Sequence, residues 1–117
     1  MNSKNKTMGY VAINNIICEP SYIERMEYLF STRAREIDNI PGFQHMEVLK
    51  PMASQDPDAA FLVISHWDSM DCFENWTKSE EFKKGHERAF ADLKKAKESG
   101  QKPPMMSTFG RYEIISN

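Results

Sequence analysis

Two stretches of this 117-residue chain read as strands that are apolar on both faces, and few folds can accommodate such strands. Residues 9–18 put Val11, Ile13 and Ile17 on one face and Ala12, Asn14 and Ile16 on the other, by the two-residue period of a strand. In residues 59–67, Phe61, Val63 and Trp67 alternate with Ala60, Leu62 and Ile64. A sheet built on both must be covered on both sides.

The rest of the chain supplies one cover. Glu19-Pro20-Ser21 opens a helix, since proline suits a first turn. Ile23, Met26, Phe30, Ala34 and Ile37 then follow at spacings of three and four, which predicts one amphipathic helix ended by Pro41-Gly42. Residues 43–50 read as a second strand, and residues 52–58, with Pro57, as a turn. Asp68 or Ser69 caps a short helix. A longer one runs to Gly100 with Lys94, Lys95 and Lys97 near its end, where cations suit the helix dipole. A loop over 101–106 leads to a last strand at 108–116. Residues 1–8 are polar and expected to fray, leaving residues 9–117 as a single domain. The order βαββαβ predicts an α+β, ferredoxin-like fold with one antiparallel four-stranded sheet and both helices on one face. A second copy is the simplest cover for the other face, so a homodimer forming a dimeric α+β barrel is expected.

Charge and cysteines narrow the function classes. A net charge of −2 with no long basic run argues against nucleic acid or a membrane surface as partner. No segment approaches the roughly 20 apolar residues of a membrane span, and the polar start lacks a signal segment, so a cytoplasmic protein is expected. Cys18 and Cys72 then read as reduced thiols. His45, His66 and His86 lack the close spacing of a locally encoded zinc site.

The chemistry concentrates around Trp76 and His86. His86 lies four residues after Phe82 and four before Phe90, on a stripe continued by Ala89 and Leu93, and should point inward. Ten positions separate it from Trp76, about 80° out of line on one straight helix at about 100° per residue. Thr77-Lys78-Ser79-Glu80 has the form of a capping box, with Ser79 a second cap, so two helices meeting at a corner can turn both rings into one pocket. Each residue also has a plain structural explanation: His86 as a core histidine, Asn14 as a side chain bonded to nearby backbone.

Asn14 late in the first strand, Pro41-Gly42-Phe43, and Trp67-Asp68-Ser69 leading to Phe73-x-x-Trp76-x-x-Ser79-x-x-Phe82-x-x-x-His86 together resemble the antibiotic biosynthesis monooxygenase (ABM) domain. Within it the chain is most similar to the IsdG-type haem-degrading monooxygenases, including the HmoA-like branch. The resemblance implies the same fold and homodimer. It further implies haem as both substrate and cofactor, with His86 as ligand of the iron, Asn14 donating a hydrogen bond on the opposite side, and Trp76 forcing the macrocycle out of plane. O2 would be consumed, the ring opened and iron released. The chain has no G-x-G-x-x-G or P-loop for a nucleotide or flavin, so an external reductant or reductase is expected. Haem propionates would need cations, for which Lys83, Lys84, Arg88 and Lys102 are candidates. Two other readings stand beside this one: a cofactor-independent quinol or polyketide monooxygenase of the same family, and a haem-binding barrel without turnover.

Overall fold

A computed structural model describes residues 9–52 and 60–117. The expected frayed start and most of the expected 52–58 turn lie outside the described residues. Strands β1 (Tyr10–Cys18), β2 (Phe43–Leu49), β3 (Phe61–Trp67) and β4 (Met105–Glu113) form one sheet in the order β2-β3-β1-β4, with antiparallel neighbours throughout. Helices α1 (Ile23–Ser31), α2 (Met70–Thr77) and α3 (Glu80–Glu98) join them in the expected ferredoxin-like order. None of the helices is long and apolar enough to cross a membrane.

Strand parity decides which residues enter the core. Tyr10, Ala12 and Trp67 on the inner face pack with Phe73 and Ile37 in one cluster. Ile16 and Phe61, at the other end of the same strands, pack with Tyr22 and Met26 in a second. Trp67 is 0% exposed, and its indole N–H donates to the buried Ser65 hydroxyl at 2.9 Å, so the largest core ring keeps its polar atom satisfied.

The predicted first helix is too long. α1 stops at Ser31, and after Arg35, whose φ of 61° is left-handed, Glu36–Asn39 forms a separate 3-10 turn that buries Ile37. The open end is capped from another helix. The Arg88 guanidinium of α3 donates to the Leu29 carbonyl at 3.1 Å, the Thr32 hydroxyl at 2.9 Å and the Thr32 carbonyl at 3.3 Å, satisfying the carbonyls a helix end leaves open. The last strand also differs from expectation, running Met105–Glu113, because its bounds follow the pairing of Met105 with Cys18 and of Glu113 with Tyr10. Gly42, at φ 85°, makes the turn into β2, and a Cβ there would collide with the Cys72 side chain.

A polar lock ties α1 to α3. The Tyr22 hydroxyl donates to Asp92 Oδ2 at 2.6 Å, and Arg25 Nε donates to the same oxygen at 3.0 Å. Burial acts to raise the Asp92 pKa, but the hydrogen bonds from Arg25 and Tyr22 and the charges of Arg25 and Lys95 outweigh it, holding the carboxyl below its usual value. A depressed pKa means stability that is complete above the unfolded value, about 3.9, and lost as pH falls through the folded one. Asp92→Asn is therefore expected to lower stability at neutral pH, because an amide oxygen accepts more weakly than a carboxylate from Arg25 and Tyr22. The gap from the parent should close in acid. Urea midpoints at neutral pH and below pH 4 check this, and a gap that stays constant would contradict it.

Candidate active site

On β1 the inner-facing residues Tyr10 and Ala12 belong to one cluster and Ile16 and Cys18 to the other, with Asn14 between them. Where the clusters part there is a cavity of about 250 Å³. Asn14, Met46 and Val63 line it from the sheet, Met26, Leu29 and Phe30 from α1, Trp76 from α2, and Gly85, His86, Ala89 and Leu93 from α3. The three residues singled out from the sequence, Asn14, Trp76 and His86, thus come from three different elements to one mostly apolar space.

Trp76 and His86 are set by a corner built on one hydroxyl. α2 opens on Ser69, whose Oγ accepts from the Cys72 N–H, and closes at Thr77. Ser79, not Thr77, caps α3: its Oγ donates to the Trp76 carbonyl at 2.6 Å and accepts from the Phe82 N–H at 3.1 Å. Across this corner the Trp76 and His86 rings lie 5.9 Å apart.

His86 is held in a definite state. Its Nδ1 is 2.8 Å from the Phe82 carbonyl oxygen, which can only accept, so Nδ1 carries the hydrogen and a neutral ring keeps its lone pair on Nε2. Phe82 stacks on the imidazole at 4.0 Å and Phe90 at 5.5 Å, which fixes the plane of the ring. This is the tautomer and restraint that a metal-ligating histidine needs.

Trp76 packs against Trp67 at 5.5 Å and Phe82 at 4.8 Å, and its buried Nε1–H has no hydrogen-bond partner among the described residues. A buried donor without an acceptor is costly, so this ring is held in place against a penalty by its packing. Gly85 adds open space: nothing lies within 4 Å of where its Cβ would be.

Of the four cations considered from sequence, Arg88 alone lines the cavity, and it is engaged with the end of α1. Lys83, Lys84 and Lys102 pair with Glu80, Glu36 and Glu19. Sequence reasoning missed Arg33. It lines the cavity half-buried, and none of the ion pairs among the described residues includes it. Burial, and after it the neighbouring Arg35, push its pKa below the usual guanidinium value, the signature of a cation short of an anion. The only signal in the sequence was a pair of arginines, Arg33 and Arg35, hidden inside a helical pattern that ends early.

Comparison with known proteins follows the same lines. Residues 9–88 match the family model described as antibiotic biosynthesis monooxygenase. Over 78 residues the chain is 36% identical to the heme oxygenase (staphylobilin-producing) of Staphylococcus saprophyticus, a match covering 67% of this chain and 73% of that protein. Among solved structures, the haem-degrader MhuD from Mycobacterium tuberculosis, with two haems bound in its active site, superimposes with a TM-score of 0.64 at 22% identity, covering 92% of this chain and 97% of that one. SnoaB, a cofactor-independent oxygenase from Streptomyces nogalater, superimposes with a TM-score of 0.66 at 17% identity, covering 93% and 95%. At such identities these two structures establish the fold and leave the chemistry open. On the match across residues 9–88 and the identity to the staphylococcal protein, the chain belongs to the antibiotic biosynthesis monooxygenase family and is a monooxygenase.

Proposed function

We propose that this monooxygenase degrades haem, with His86 as the ligand of the iron. The observation that carries the reading is the state of His86: Nδ1 committed to a backbone carbonyl, Nε2 free, and the ring clamped beside a cavity that also receives Asn14 and Trp76. The identity to a protein named heme oxygenase supports it. So do the other lining groups, since an apolar wall suits a porphyrin and Arg33 offers a cation to a propionate.

When bound, haem supplies both the iron at which O2 is reduced and the carbon skeleton that is oxidised. The chain's own residues orient and exclude. His86 fixes the depth and tilt of the ligand from the helical layer. Asn14, which lines the cavity from the sheet, would offer an amide N–H to a ligand held by His86. Trp76, backed by the fully buried Trp67, would limit the space left for the ligand on the α2 side. Electrons come from a separate reductase or small reductant. A cytoplasmic setting accords with the two free thiols, Cys18 and Cys72.

Haemin titration tests the reading. One equivalent per chain should saturate a Soret shift, Arg33→Ala should weaken it, and ascorbate in air should bleach the band and release chelatable iron. Asn14→Ala is expected to bind ferric haem normally but bleach about tenfold or more slowly, the worth of one hydrogen bond to a charged group. Loss of binding in that variant would overturn the assignment of Asn14. A stable band in air would point to a carrier without turnover. SnoaB, similar in fold, keeps the cofactor-independent alternative in view, and under it haemin would not saturate and His86 would be dispensable.

The same reading includes a homodimer. The outer sheet face carries Val11, Ile13, Ile64, Ile17, Met106 and Tyr112, the last three 47%, 73% and 52% exposed. Large apolar side chains exposed on one sheet face suit a protein contact. Sedimentation should find a dimer at micromolar concentration, and a stable monomer would remove this part of the proposal.

A further inference from the structure

We propose that His45, Glu47 and His66 form a binding site for a divalent transition-metal ion of the zinc class, on the sheet face opposite the cavity. The sequence hides it, because the residues have no close spacing, and strand pairing assembles it. Phe43 pairs with Trp67, but the register slips by one between Phe43 and His45, so that His45 pairs with His66, Met46 with Ser65 and Glu47 with Ile64. Without that bulge His45 would fall opposite Ser65 and point into the core. With it, His45, Glu47 and His66 all project from the outer face, and re-aiming a side chain is what bulges commonly do.

The geometry suits one ion. The ligand atoms of all three residues lie within 4.8 Å of one another, but the His45 and His66 rings are stacked at 4.1 Å and 14°, so the exposed His45 ring must turn out of the stack before both in-plane lone pairs can meet at one ion. Tetrahedral zinc with bonds of about 2.0–2.1 Å needs ligand atoms roughly 3.4 Å apart, so side-chain rotation must close little more than about 1 Å. His45 and Glu47 are exposed and free to rotate. Two imidazoles and one carboxylate are the donor set that first-row divalent ions such as zinc, cobalt and nickel prefer over magnesium or calcium, and three protein ligands leave a fourth position for water. All three donors belong to one chain and the haem reading is not needed; the trio shares the outer sheet face with the proposed dimer contact, beside Ile64 at its β2 edge. An ion there would clip edge strand β2 to β3.

The test uses the untagged full chain, stripped with a chelator. Calorimetric titration with Zn2+ should show one ion per chain, and Co2+ should develop visible d–d absorption that Zn2+ displaces. His45→Ala, Glu47→Gln and His66→Ala should each weaken Zn2+ binding about tenfold or more, with far-UV circular dichroism unchanged. His86→Ala should leave it unaltered. The proposal is overturned if Zn2+ gives no saturable binding, if the three variants bind as the parent does, or if His86→Ala is the variant that loses the ion. As His66 is partly buried, the two exposed positions keep the outcome readable should that variant fold poorly.

Discussion

His86→Ala is expected to abolish the saturating Soret shift, weakening haemin affinity roughly a hundredfold or more, while the protein keeps its fold. The size follows from what is lost. His86 supplies a neutral imidazole already turned to the correct nitrogen by the Phe82 carbonyl, and no other histidine lines the cavity. Alanine removes the ligand without leaving a charge behind, and its helix propensity is high, so α3 should gain rather than lose local stability. Haemin titration followed at the Soret band, beside far-UV circular dichroism, measures both parts. Unchanged affinity in a folded variant would sink the haem reading and favour an oxygenase that uses no metal.

Trp67→Ala is expected to destabilise the protein by about 3–5 kcal/mol, a large share of the roughly 5–15 kcal/mol that holds a domain of this kind together. Trp67 is wholly buried and meets Phe43 at 5.3 Å, Phe73 at 5.7 Å and Trp76 at 5.5 Å. Removing it opens a cavity at the centre of one core cluster and strips the Ser65 hydroxyl of its buried donor. The urea midpoint should fall with little change in slope. A loss under about 1 kcal/mol would mean that the first cluster collapses around the gap far more readily than its packing suggests.

What the sequence revealed and what it hid have separate physical causes. His86 was legible as inward-facing because helical period sets direction locally, and the Thr77 to Glu80 capping signal announced the corner that turns Trp76 towards it. Asn14, by contrast, lies on a strand apolar on both faces and was singled out by the family resemblance. The end of α1 was not legible. Ala34 and Ile37 continued the helical period, yet Ile37 reaches the core through a separate 3-10 turn, and the carbonyls that close α1 find their donor in Arg88, 59 positions beyond Leu29. Arg33 was missed for the same reason. The His45–His66 pair was invisible because a one-residue slip between two strands creates it. Contacts made by long-range register or by a distant guanidinium leave no local periodicity to read.

The Ser79 oxygen at the junction of α2 and α3 leaves the indole and the imidazole without independent coordinates. One atom caps the first turn of α3 and binds the carbonyl of Trp76 in the last turn of α2, so a tilt of either helix is felt at both rings. The width of the slot between them is a single mechanical variable. Relatives sharing this joint can therefore be retuned for flatter or bulkier guests by changes at the joint, with both aromatic residues left in place.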